Sequence, residues 1–444
     1  MHWVMALRPD KCRYNTRHAS IIPFSFRFRS TATSPAVAWM QSCSDARWNR
    51  KLNGIMDNRH FYVIGKSGFG KSTFLKNEIL QEIETGDRAV IYIDPHGPDA
   101  LDLLNAIPSW QIRNVCYIDL ADREYAVGFN PIAEPHLLVT AFKTIWADSW
   151  GPRLEHFLRH GVTVIHEAGL TLRELPALYY DEVKRAKALV RVTSPETLKF
   201  WRHEYLKAYP ERERQQAAMP IYNKVGAILA SSIARNLTQL YPRLDLAEAI
   251  REKKIIVVNL AKPAVGDEAA TVFGSLFTTS VRNVLMANPA PLSFFADEFH
   301  TYGTDVYISM LSELRKFGLR LGLSHQFPAQ LDETLFAAIL ANARDIIAFQ
   351  LSHQDAVRLA PHFNREHQAF NPSALTALLP HTAMWNGQEA PMPPFSHCRS
   401  RLKPVLDQSR LRYARRIPPP LARQGEPHIS RNRPLTRFAR RRKA

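Results

Sequence analysis

Long apolar runs are missing from this chain of 444 residues. No stretch reaches the roughly 18 consecutive apolar residues that a membrane-spanning helix needs, so no transmembrane helix is expected. Cysteine is scarce, and Cys12, Cys43, Cys116 and Cys398 stand apart with no CxxC spacing. That pattern argues against a disulfide framework or a thiolate zinc site and points to free thiols in a reducing compartment. No internal repeat is evident. Acidic residues are nearly absent from both ends. Residues 1–51 hold nine Lys/Arg against two acids and residues 401–444 hold fourteen against two, so the net charge of +17 sits in the ends and the body between is close to neutral.

Basic ends suit a polyanionic partner, although the same composition also makes a solvated extension that only aids solubility. The first 34 residues, rich in Arg and Ser, read equally as an organelle transit peptide or as the product of a mis-assigned start. They lack a clean amphipathic period, and residues 1–54 are expected to be unstructured. The remaining composition, 45% hydrophobic and 22% charged, is that of a globular protein with core enough for two or three domains.

From Arg59 onward the pattern becomes orderly. "HFYVI" is a short apolar run ending at glycine, and it reads as a buried strand. Phe74, Leu75, Ile79, Leu80 and Ile83 then recur at helical spacing, with Gly86 as a stop. "AVIYID" (Ala89–Asp94) and "NVCYIDL" (Asn114–Leu120) follow as strands with a short helix between them, a βαβ rhythm that predicts a parallel sheet. Near Glu134 helical periods take over for more than a hundred residues; Leu154, Phe157, Leu158, Val162 and Ile165 mark one helix begun by Pro152, and Val225, Ile228, Leu229 and Ile233 another. Strands return at Lys254–Leu260, Leu292–Glu298, Leu319–Gln326 and Asp345–Leu351. The fold class is therefore α/β, a mostly parallel sheet interrupted by an all-α insertion. The boundaries read as 55–133 and 253–403 for the two parts of the α/β domain, 134–252 for the insertion, and 404–444 for a basic disordered tail.

"GKSGFGKS", Gly65 to Ser72, fits G-x-x-x-x-G-K-[ST] between a predicted strand and a predicted helix. Gly65, Gly68 and Gly70 allow backbone N–H groups to turn inward around the β- and γ-phosphates, and the following helix points its positive end at the anion. Lys66, Ser67, Phe69 and Thr73 complete the nucleotide-binding loop. Lys71 is placed to reach the β/γ oxygens, and the Ser72 hydroxyl to ligate magnesium. The partner acids come from "LSFFADE": at the C-terminal end of a buried parallel strand, Asp297 would hold the metal and Glu298 would orient or deprotonate the attacking water. ATP and Mg2+ are thus the expected ligands. Gln326 ends the next strand, where an amide contacts γ-phosphate and water, or simply faces solvent. Arg315, in "SELRKFG", suits an arginine finger acting on a neighbouring subunit, or a surface arginine beside Lys316. Asp94 would tune Lys71 or the metal, or serve as a turn acid before Pro95.

Other signals are weaker. His156 and His160 have metal-capable spacing but no third ligand, so a polar helix face is the better account. Lys199–Arg214 interleaves bases with aromatics as single-strand binders do, while aromatics at helical spacing also simply pack. Lys262, in the loop after "IIVVNL", is a candidate phosphate contact in a pore-facing loop.

The strings "FYVIGKSGFGKST", "YIDPHG", "WGPRLEHFLR", "IIVVNLAK", "FFADEFHTYGT" and "LSELRKFGLRLGLSHQ" occur in the order seen in conjugative coupling-type ATPases. These are the type IV secretion DNA-transfer proteins of the HerA–FtsK branch of RecA-like P-loop enzymes. The resemblance runs from about Arg59 to about Cys398. It implies a RecA-like domain in a ring, a hexamer, that binds ATP between subunits and drives DNA through its centre. It also implies that Lys71, Ser72, Asp297, Glu298 and Gln326 are the nucleotide motifs and Arg315 the inter-subunit arginine. Relaxosome or secretion-channel partners follow, with a cytoplasmic location peripheral to a membrane complex. Membrane-anchored members carry N-terminal transmembrane helices that this sequence lacks, so it resembles the soluble members or a truncated gene. Three function classes stand: a DNA translocase, an ATPase energising protein export or complex assembly, and a non-motor nucleic-acid binder with a regulatory nucleotide site.

Overall fold

The structure, a computed structural model, describes residues 59–129, 131–132, 135–364, 369–395 and 401–418. The readings for residues 1–54 and for the chain beyond 418 lie outside the described residues.

Seven apolar runs form the parallel strands of one sheet: β1 (Phe61–Ile64), β2 (Ala89–Asp94), β3 (Val115–Asp119), β5 (Ile255–Asn259), β6 (Leu292–Asp297), β7 (Leu319–His325) and β8 (Asp345–Ala348). Nearly every residue in them is buried, as expected where helices cover both faces and no alternation of polar residues is required. A hairpin, β9 (Thr382–Trp385) and β10 (Gln388–Pro391), extends the sheet antiparallel on β8. The order is β10-β9-β8-β1-β7-β6-β2-β5-β3. A short strand, β4 (Tyr125–Val127), lies apart from this sheet.

That order separates β1 from β2 by β7 and β6. The Lys71–Thr85 helix that joins β1 to β2 must therefore cross over both intervening strands, and it packs on β6, β7 and β2. Phe74 from this helix meets Phe61 edge-on at 6.1 Å, and Phe295 of β6 fills the other side of Phe61 at 6.0 Å. Deeper in the same layer Arg320 of β7 is enclosed, paired with Glu78 at 3.1 Å and with Glu82, and covered by the ring of Phe61. The helix stops at Gly86, whose φ of 70° lets its N–H close on the carbonyl of Glu82.

Between β4 and β5 every assigned element is helical. Its centre is an aromatic cluster of Phe157, Tyr179, Phe200, Trp201 and Tyr205, all buried. Gly161 makes that packing possible: a Cβ there would lie 2.2 Å from the Tyr179 hydroxyl, which donates to the Phe157 carbonyl at 2.7 Å. The aromatics of Lys199–Arg214 thus face inward in part, since Phe200, Trp201 and Tyr205 belong to this core. His160 stacks on Phe200 at 4.3 Å and meets the Thr197 hydroxyl at 3.3 Å, which gives it a packing role.

One boundary needs correction. The expected disordered tail from 404 begins inside a helix, Leu402–Tyr413, followed by β11 (Ala414–Arg416), which pairs antiparallel with β4. Val405 is fully buried, and the Ser409 hydroxyl accepts from the Tyr117 N–H on β3 at 2.7 Å. Pro404 sits in the first turn, where a missing N–H costs nothing, so it is compatible with the helix.

Candidate nucleotide site

Parallel strands place all their C-terminal ends on one edge, and the loop after β1 and the acids after β6 share that edge. They are two strands apart, about 10 Å, and the crossing helix closes the gap. Ser72, in its first turn, donates to Asp297 Oδ2 at 3.3 Å although the two residues are 225 positions apart in sequence. Lys71 is buried beside them, and its ammonium donates to the Lys66 carbonyl at 3.2 Å, folded back across its own loop. Burial lowers its pKa, against the opposing pull of Glu298 and then Asp297.

The loop is shaped by neighbours that no local motif announces. Gly65, Gly68 and Gly70 have φ of 149°, 81° and 114°. A Cβ on Gly65 would lie 2.6 Å from Phe349 Cβ, and one on Gly70 would lie 3.1 Å from the Phe349 ring and 3.2 Å from His381. Phe349 donates its N–H to Ile64, Lys66 donates its own to Gln350, and His381 donates to the Phe69 carbonyl at 2.9 Å. The Lys66 ammonium reaches Gln350 Oε1 at 3.1 Å. Phe349, Gln350 and His381 follow or precede strands far along the chain, and only the sheet order reveals them as walls of the loop.

The two acids are largely buried. Burial, and next the charge of Glu298, pushes the Asp297 carboxyl up to about 7. Glu298 has a left-handed backbone, φ 43°, fixed by its N–H donating to Asp297 Oδ1 at 3.0 Å, while Tyr302 Oη donates to the Asp297 carbonyl at 2.8 Å. Burial also raises the Glu298 pKa; the Gln326 amide against its carboxylate, followed by Lys71, His96 and Lys262, pulls it back. Gln326 therefore belongs to the site, beside the acid it was expected to work with. Lys262 is a site neighbour too, paired with Asp267 at 3.4 Å. Asp94 is committed elsewhere, accepting from the N–H groups of His96 and Ala100 at 2.8 Å each as a turn acid.

Arg315 is not brought to this cluster. It is exposed just before β7 begins, and its charge acts on His60, just before β1 begins. That is the opposite edge of the sheet from the loop, a strand length of about 13 Å away at least.

No family model and no characterised protein matches the sequence at a significant level. Solved structures do match. The fold is that of a bacterial conjugative coupling protein: unbound TrwBdeltaN70 superimposes with a TM-score of 0.56 at 15% identity, covering 78% of this chain and 88% of that one. TrwB in complex with ADP and Mg2+ gives 0.54 at 15% identity, covering 77% and 87%. VirB4 of Thermoanaerobacter pseudethanolicus gives 0.50 at 14% identity, covering 76% and 89%. The resemblance read from the motifs is borne out as a likeness of fold, including the α/β class.

Proposed function

We propose that this chain binds and hydrolyses Mg-ATP and works in a ring, a hexamer, that moves DNA. The observation that carries the reading is the meeting of Ser72 with Asp297, beside Lys71 and Glu298, on one edge of the sheet. Two hard oxygen donors, the Ser72 hydroxyl and the burial-raised Asp297 carboxyl, suit a divalent oxygen-seeking cation, which would draw the Asp297 proton off as it binds. Magnesium there supplies charge neutralisation of the phosphate oxygens. The fold relative TrwB has been seen with ADP and Mg2+ and with a non-hydrolysable ATP analogue, which supports the same ligands here.

The residues divide the work. Backbone N–H groups of Gly65–Thr73 cradle the phosphates, and Lys71 exchanges its contact with the Lys66 carbonyl for a phosphate oxygen. Glu298, kept from water and raised by burial, accepts a proton from the attacking water at neutral pH. Gln326, against Glu298, orients that water and carries the change in phosphate state into β7. Arg315 lies at the opposite edge of the sheet from its own loop, so its service as a finger requires a neighbouring copy such as a ring would supply.

DNA as cargo is supported by the basic ends and by the coupling-protein fold. The test is the steady-state ATPase rate with and without single- and double-stranded DNA at two salt concentrations, with Glu298→Gln as the inactive control. Salt-sensitive stimulation is expected. Hydrolysis indifferent to DNA would refute the cargo and assign the motor to protein export or complex assembly.

A further inference from the structure

A cavity of about 610 Å³ opens where the C-terminal segment meets the sheet edge. Arg123, Arg235 and Arg416 line it, with Glu124 as its one acid. The other nearby acids are engaged: Asp122 pairs with Arg410 at 2.8 Å, and Asp119 accepts from the Ala121 N–H at 2.9 Å. Arg123 and Arg416 are exposed, with no side-chain hydrogen bond or ion pair among the described residues. Arg235 spends one nitrogen on the Leu120 carbonyl at 3.1 Å, and its Nε is buried without a partner, as is the Ser232 hydroxyl on the same wall. Three guanidinium groups with donors to spare make an anion site.

Its position links it to the motor. Leu120 and Ala121 follow β3, and Ala264 and Val265 follow β5, so the cavity lies on the same edge of the sheet as the nucleotide site. β3 and β6 are three strands apart, about 14 Å. The short loop after β5 spans that interval: Lys262 acts on Glu298, and two residues later the chain becomes the cavity wall. Beyond Pro418, which lines the cavity, the sequence continues for 26 residues with eight Lys/Arg and one acid.

We propose that this arginine pocket seats a backbone phosphate of the nucleic acid on which the motor acts. The inference rests on the DNA reading above. A nucleic-acid strand presents a phosphate at every nucleotide, so a strand can seat one in the pocket whatever its sequence.

The experiment measures binding of a fluorescent 30-nucleotide strand to the full-length chain across a salt series, for the natural sequence and for Arg123→Ala/Arg416→Ala. Both side chains are exposed and unpaired, so the fold is not at risk. Loss of that phosphate contact flattens the log–log salt slope by about 0.7 and weakens binding roughly four-fold near physiological salt. An unchanged slope and affinity in the variant would overturn the pocket while leaving DNA binding intact. No binding by the natural chain would overturn both readings, and preferential capture of poly-glutamate would assign the pocket to an acidic protein segment instead.

A second inference rests on a different observation, a chain of side chains behind Glu298. Gln330 Oε1 accepts from the N–H groups of Gln326 and Phe327 at 3.2 Å each. Its amide nitrogen must then donate to His300 Nε2, 3.1 Å away, which leaves the proton of a neutral His300 on Nδ1. That Nδ1 lies 3.6 Å from Glu298 Oε2, and both atoms are buried with no other partner. We infer that His300 and Gln330 are positioning residues that tie the Glu298 carboxylate to the backbone beside Gln326, a role that assumes Glu298 is the base. His300→Ala should lower kcat about ten-fold with ATP affinity unchanged, and His300→Asn, which restores an N–H near Nδ1, should recover most of it. Equal losses in both variants, or a loss in affinity rather than kcat, would refute the link.

Discussion

Glu78 offers a sharp test of how charge is buried beneath the nucleotide loop. Arg320, with a side chain 2% exposed, faces two carboxylates, Glu78 and Glu82, that are equally enclosed. Arg320 is shared between the two and Arg88 adds its charge on the Glu82 side, which leaves Glu78 as the one favoured in its neutral acid form. Burial, partly offset by Arg320, holds the Glu78 carboxyl up at about 7, against 4.5 for the free group. The folded state therefore keeps a proton that the unfolded state gives up between those values. The stability it contributes is complete below about 4.5 and is lost as pH rises to about 7. Integrated between the two values, going from pH 5 to pH 7 costs roughly 2 kcal/mol. In Glu78→Gln the proton can no longer be lost. Thermal melting of both proteins from pH 5 to pH 8 isolates this contribution, because every other titrating group is shared. The natural chain should fall relative to the variant by roughly 3 °C between pH 5 and pH 7, then run nearly parallel to it. Parallel curves throughout would show that the cluster keeps the same protonation in both states and would refute the charge argument.

Other predictions address the site and its supports. Glu298→Gln should retain ATP-analogue binding while kcat falls on the order of 100-fold or more; retained turnover would remove Glu298 as the base. Arg315→Ala and Lys71→Ala should each silence ATPase activity in assembled rings, yet mixing the two should restore part of it by pairing an intact loop with an intact arginine. Absence of any recovery on mixing would count against action in trans. Gly65→Ala places a Cβ 2.6 Å from Phe349 Cβ at a φ of 149°, so nucleotide affinity should drop at least ten-fold; normal affinity would mean the loop yields more readily than its contacts indicate. Gly161→Ala forces the Tyr179 hydroxyl off the Phe157 carbonyl and should destabilise the helical layer by about 1–3 kcal/mol, seen as a lower Tm with unchanged ATP affinity.

Local chemistry determined much of this protein directly from its sequence. The seven parallel strands were legible because strands buried on both faces are continuous apolar runs, and the helix after the loop because its period and its terminal Gly86 are local. The Gly65–Ser72 loop and the Asp297–Glu298 pair could be singled out as site candidates because each sits at a strand end with its own short signature. Tertiary structure alone decided what those pieces do to one another. Sheet order, a matter of register and crossover, carries Ser72 across two strands to Asp297, sets Phe349 and His381 against the loop, and sends Arg315 to the far edge. The helix at Leu402–Tyr413 was hidden by the proline- and arginine-rich sequence around it, and its reason to fold is the edge of β3, which no neighbouring residue encodes. Contacts among residues hundreds of positions apart leave no periodicity to read; they exist only once the chain has closed on itself.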